Sequence, residues 1–112
     1  MASVLPSVKR VWVVQEGKND YHSAEEFGEV HFITTSDFRS MQNSKQNSEV
    51  AADIRKFRTE YIANEDYIIP VGNPMVVALV TMALGGGNHK FLKWDGRKVA
   101  YIPFVLNPMM VR

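Results

Sequence analysis

Asp66-Tyr67-Ile68-Ile69-Pro70-Val71-Gly72-Asn73-Pro74, running into the apolar stretch Met75 to Leu84 and closed by Gly85-Gly86-Gly87, is the stretch that decides the fold. Tyr67 to Val71 is apolar and rich in β-formers, so Asp66 to Val71 reads as a strand, and Pro70 removes one ladder donor and marks its end or a bulge. Gly72-Asn73-Pro74 is a helix start, with Asn73 as cap and Pro74 as first helical residue. Met75 to Leu84 has almost no polar face, which predicts a helix buried on every side and stopped by the glycines. Its β-branched residues also fit a core strand.

The same alternation continues outward. Val11-Trp12-Val13-Val14 predicts a buried first strand entering the polar loop Gln15 to Asp20. Ser23 to Phe27 reads as a short helix capped by Ser23, with Glu25 and Glu26 in its first turn and Gly28 at its end. Glu29 to Thr34 is the second strand, and Thr35 to Asn47 is a polar surface loop. From Asn47 or Ser48 onward, Val50, Ile54, Phe57 and Tyr61 recur at helical spacing while Asp53, Lys56 and Glu60 fall elsewhere. His89 to Trp94 and Lys98 to Phe104 flank Asp95-Gly96, which predicts a two-residue type I′ hairpin with Trp94 facing Arg97, Lys93 facing Lys98 and Leu92 facing Val99. The order predicts an α/β fold: a single compact domain over 1–112, a mostly parallel sheet of about five strands flanked by helices, and a C-terminal antiparallel hairpin. Residues 1–8 and 105–112 are expected as terminal arms. Leu106, Met109, Met110 and Val111 make the second arm apolar, suited to docking on a neighbouring copy or folding back on its own core.

Composition narrows the function. The 112 residues hold 13 Lys plus Arg against 12 Asp plus Glu, 46% hydrophobic residues and no cysteine. Disulfide scaffolds and zinc fingers are excluded. A net charge of +1 disfavours a protein that wraps duplex nucleic acid. Met1 to Val8 has no secretory pattern, so a cytoplasmic setting is expected. Met75 to Leu84 is about half the ~20 apolar residues of a membrane-spanning helix, so no membrane partner is expected.

Several constellations compete for chemistry. Ligands of open parallel sheets sit beyond the carboxyl ends of the strands, where Lys18, Asn19, Gly72 and Asn73 form a candidate site for a nucleotide or small anion at a helix N-terminus. A well-capped turn is the simpler reading of Gly72-Asn73-Pro74, because no glycine-rich dinucleotide fingerprint or P-loop is present. Val13 to Asp20 resembles the opening of the Toprim metal-dependent nuclease and primase domain, but no Asp-x-Asp pair follows. A metal-dependent, nuclease-like enzyme using Glu16 and Asp20 is therefore only an alternative. His22, Glu25 and Glu26 have two-ligand spacing, which is short of a metal site. No nucleophile-elbow motif frames any serine. No catalytic residue, metal or cofactor is assigned.

Charge distribution carries the leading expectation. Glu16, Asp20, Glu25, Glu26 and Glu29 make the first third acidic, while Lys90, Lys93, Arg97, Lys98 and Arg112 make the C-terminal part basic. The candidate binding residues are Lys93, Trp94, Arg97 and Lys98, with the cations steering an anionic partner and Trp94 as apolar anchor.

Val11-Trp12-Val13-Val14-Gln15-Glu16, Ala24 to Val30, Asp66 to Pro74, and Leu92-Lys93-Trp94-Asp95 with Tyr101-Ile102-Pro103 together resemble short uncharacterised proteins encoded by tailed bacteriophages. The resemblance runs from about Val11 to Phe104. It implies a viral origin and action in the infected host's cytoplasm or in the virion. The resulting expectation is a small non-enzymatic phage protein that binds itself and an unknown host or phage macromolecule with an acidic surface. Nucleic acid is the weaker partner.

Overall fold

The computed structural model describes residues 8–17, 19–38 and 44–112. Among them the chain forms strands β1 (Arg10–Gln15), β2 (Glu29–Thr34), β3 (Tyr67–Ile69), β4 (His89–Asp95) and β5 (Ala100–Leu106), helices α1 (Lys45–Glu60) and α2 (Pro74–Leu84), and two 3-10 helices, His22–Phe27 and Pro108–Val111. The sheet order is β2-β1-β3-β4-β5. β1 pairs in parallel with β2 and β3, β3 in parallel with β4, and β5 returns antiparallel on β4. The expected α/β class with a mostly parallel sheet and a C-terminal hairpin is what the chain adopts.

The chain steps first to one side of β1 and then to the other. Crossovers of one hand then need helices on opposite faces. Accordingly α1 and α2 cover one face through Val50, Ile54, Phe57, Val76 and Val80 against Trp12, Val14, Ile68 and Phe91. The first 3-10 helix covers the other, where Tyr21 and Ala24 meet Val11, Val13, Ile69, Leu92 and Tyr101. A short 3-10 helix is a thin cover for a five-stranded face, which leaves room beside it.

Local signals set the ends of several elements, with four corrections. Ser44 accepts a hydrogen bond from Asn47 N at 3.1 Å, so α1 begins at Lys45, before the expected Asn47 or Ser48. Asp20 Oδ1 accepts from His22 N at 2.9 Å, so the short helix starts at His22 and Ser23 does not cap it. β5 runs to Leu106, two residues into the expected terminal arm, and 108–111 form a 3-10 helix capped by Asn107. α2 is the expected helix, capped by Asn73 with Pro74 at its start, but it is not buried on every side. Val76 and Val80 are fully buried, whereas Met75 and Met82 face outward, Met82 being 78% exposed.

Candidate functional site

The strand-end crevice is filled by the chain itself. Gln15, the last residue of β1, donates from Nε2 to Ser36 O and Asp37 Oδ1, both at 3.1 Å, and accepts at Oε1 from Asn73 N at 2.6 Å. Asn73 donates from Nδ2 to Asp37 Oδ1 at 3.1 Å and Phe38 O at 3.3 Å, and its Oδ1 accepts from Met75 N at 2.9 Å. A Cβ on Gly72 would lie 2.5 Å from Gln15 Cβ and Oε1. Gly72 and Asn73 therefore work as a three-loop clasp, and the donors of Asn73 are directed at protein acceptors. Asn19 lies elsewhere, lining a cleft together with Tyr21, Pro70 and Trp94. Lys18 lies outside the described residues.

The hairpin tip has a different register from the expected one. Lys93 faces Ile102, Trp94 faces Tyr101 and Asp95 faces Ala100, leaving a four-residue connection from Gly96 to Val99. The cause is the Asp95 side chain, whose Oδ1 accepts from Arg97 N at 2.9 Å and Lys98 N at 3.2 Å. That bond pattern folds an Asx-type turn in place of a type I′ turn. Gly96 stays out of the positive-φ region, and Val99 takes it instead at φ 50°. Lys93 faces Ile102 and not Lys98, so the expected pairing of the two lysines does not form.

The four binding candidates are nevertheless brought together. Lys93, Trp94, Arg97 and Lys98 line one hollow of about 610 Å³ with Asp95, Gly96, Ile102 and Phe104. No ion pair forms between these cations and any acid among the described residues. Trp94 is 44% exposed and meets Tyr101 edge-on at 5.1 Å. The tip thus presents three cations with no ion pair among the described residues, beside Asp95 and apolar surface.

Behind the tip, on the face under the first 3-10 helix, lies a narrower cleft of about 330 Å³. It is lined by Asn19, Asp20, Tyr21, Ile69, Pro70, Val71, Leu92, Lys93, Trp94 and Tyr101. Burial, then the neighbouring Tyr21 and Asp20, push the Tyr101 hydroxyl above its usual pKa. Sequence reasoning missed Tyr21 and Tyr101 as site residues, because their meeting depends on register and not on spacing. Glu16 is exposed beyond β1, and Asp20 accepts the hydrogen bond from His22 N described above. His22 Nδ1 meets Glu25 Oε2 at 3.1 Å on the surface, and no group of three metal-ligating residues forms among the described residues.

The family model described as Phage Pam3 gp32-like protein matches residues 9–108. The chain belongs to that family. The match covers every strand and both α-helices, and it bears out the resemblance to small phage-encoded proteins. No match was found among curated proteins or among solved structures. Among the described residues of this phage protein, no helix is long and apolar enough to cross a membrane.

Proposed function

We propose that this phage protein acts by binding, gripping an acidic protein surface at the tip of the β4–β5 hairpin. The observation that supports this is the convergence of Lys93, Arg97 and Lys98, unpaired among the described residues, around one hollow, with the half-exposed Trp94 at its edge and its ring turned to the Tyr101 face of the sheet. Peripheral cations steer an acidic partner, and an aromatic ring that can be covered supplies holding energy. An acidic protein suits the site better than nucleic acid. The cations are confined to one turn, Lys90 is engaged over the Tyr67 ring at 4.3 Å, and the whole chain carries only +1.

The reading includes self-association through a separate surface. Met82 on the outer side of α2 and Met109, Met110 and Val111 of the second 3-10 helix are all exposed. A neighbouring copy would cover them. The setting is the host cytoplasm, or the virion if the protein is packaged.

Fluorescence anisotropy with a labelled decapeptide of Asp and Glu tests the tip, set against a single-stranded DNA of equal charge. Saturable binding of the peptide, stronger than that of the DNA and weakened by replacing Arg97 with Glu, supports the reading. Preference for the DNA, or indifference to Arg97→Glu, contradicts it.

A further inference from the structure

β5 closes one end of the sheet, and no described segment pairs with its outer side. Its ladder partner is β4, with Leu92 opposite Pro103. Pro103 has no N–H to give β4, so the backbone groups of this pair turn away from each other, and alternation turns those of Tyr101 and Val105 outward as well. The N–H groups of Tyr101 and Val105 and the carbonyls of Tyr101, Pro103 and Val105 therefore point off the sheet, whereas Ile102 and Phe104 bond to β4. Such a row of outward donors and acceptors is a template for another strand.

The two edges of the sheet differ in how they are guarded. Sheet edges that stay unpaired are commonly protected by charge. β2, at the far end, carries Glu29 and His31, whose side chains meet at 2.6 Å. β5 runs Ala100-Tyr101-Ile102-Pro103-Phe104-Val105-Leu106 without a charge. Pro103 removes one outward donor but leaves those on either side of it. The core beneath α1 and α2 reaches across the sheet to Phe91 of β4 and includes no residue of β5. Phe104, Val105 and Leu106 are accordingly 46%, 55% and 44% exposed, so the second half of the strand is bare on both faces as well as along its edge.

We propose that β5 pairs antiparallel with β5 of a second copy, joining two five-stranded sheets into one continuous sheet about a two-fold axis. The proposal rests on the self-association reading above and gives it a seam. A second copy fits this edge better than another partner does. An uncharged strip is complemented by an uncharged strand, and β5 is itself such a strand, whereas an acidic partner of the kind the tip attracts would set carboxylates against Phe104 and Val105. Pairing about a two-fold uses the same edge twice and leaves β2, with Glu29 and His31, at both ends, so assembly closes at two copies. Phe104, Val105, Leu106, Met109, Met110 and Val111, 44–90% exposed, together offer roughly 700 Å², near the ~800 Å² per partner of a stable interface. Antiparallel strands also put the two hairpin tips at opposite ends of the seam, so their cations do not face one another.

The test combines sedimentation velocity with amide hydrogen exchange on the full chain across a dilution series. A dimer that dissociates on dilution is expected, with the Tyr101 and Val105 amides protected only in the dimer and those of Ile102 and Phe104 protected at every concentration. Val105→Pro deletes an outward donor and spares the β4 ladder, so it should raise the dissociation constant about tenfold or more with little change in the monomer's melting temperature. Phe104→Lys, which places a charge beside the seam, should weaken the dimer as well. The exchange pattern of the unaltered protein decides the matter even where a variant fails to fold. A monomer at every concentration overturns the proposal together with the self-association reading. A dimer whose Tyr101 and Val105 amides exchange as fast as in the monomer, or one that neither variant weakens, overturns the β5 seam alone and moves association to another surface. Growth beyond two copies overturns the two-fold closure.

Discussion

Trp12 Nε1 donates to Asp66 Oδ2 at 3.0 Å in the interior. The same carboxylate accepts from Ile62 N at 3.0 Å through Oδ2 and from Arg10 N at 3.2 Å through Oδ1. With Asp66 only 1% exposed, one side chain ties the start of β1, the turn after α1 and the entry to β3. Hydrogen bonds to a charged group are stronger than neutral ones, and buried donors left unpaired are costly. Asp66→Ala should therefore lower stability by roughly 2–4 kcal/mol in urea denaturation, with Asp66→Asn milder. A loss below about 1 kcal/mol for the alanine variant would show the clamp to be dispensable.

Gly72 has φ +123° and no space for a Cβ against Gln15. Gly72→Ala should cost about 2 kcal/mol or more through strain and loss of the Gln15 to Asn73 bond. Because the collision includes Gln15 Cβ as well as Oε1, Gln15→Ala should fail to rescue it. A double variant as stable as Gln15→Ala alone would place the strain elsewhere.

Val99 is a β-branched residue at φ 50°, in a region where side chains of this shape are penalised. Val99→Gly should raise stability by about 0.5–1 kcal/mol, the relieved strain exceeding the added chain entropy of the unfolded state. A thermal melt reads this as a gain of a few degrees. A lower melting temperature would mean that the side chain contributes packing in the turn.

Burial first, and then the neighbouring Asp66, push the Tyr61 hydroxyl up to about 12 from 10.0. The folded state thus holds this proton more tightly than the unfolded state. The contribution is fully present below pH 10 and is lost as pH rises from 10 towards 12. Tyr61→Phe should flatten the fall of the urea midpoint across that alkaline range. At neutral pH it should cost about 1 kcal/mol, because Tyr61 Oη meets His89 Nδ1 at 2.7 Å. Identical alkaline slopes in both proteins would remove Tyr61 as the source.

Self-association predicts that removal of residues 107–112 lowers the oligomer mass in light scattering. This cut leaves β5 whole, since the strand ends at Leu106. An unchanged mass would assign Met109, Met110 and Val111 no role in assembly.

Much of the fold was legible because its signals are local. Pro70 does end β3, Asn73 and Pro74 do start α2, and the spacing of Val50, Ile54 and Phe57 does mark the buried side of α1. Polar ties across long separations were not legible: Asp66 to Arg10 spans 56 residues, and nothing near Asp66 announces its donors. The hairpin register was misread because Asp95-Gly96 is a turn signal whose outcome depends on where the Asp95 carboxylate bonds. The tip candidates still converge, since a shift of register within one turn keeps neighbours in sequence close in space. The Tyr21 cleft was hidden, because it joins the β1–β2 connection to β3, β4 and β5 only after the sheet forms.

The most direct measurement reverses charge at the tip. A photo-crosslinking residue replacing Val99, exposed beside Lys98, is introduced into the protein in infected bacteria, with and without Lys93→Glu and Lys98→Glu together. The account predicts a discrete adduct to a partner with an acidic surface that disappears in the charge-reversed protein, while its melting temperature stays within a few degrees. An adduct formed equally well after charge reversal would contradict the hairpin tip as the gripping surface.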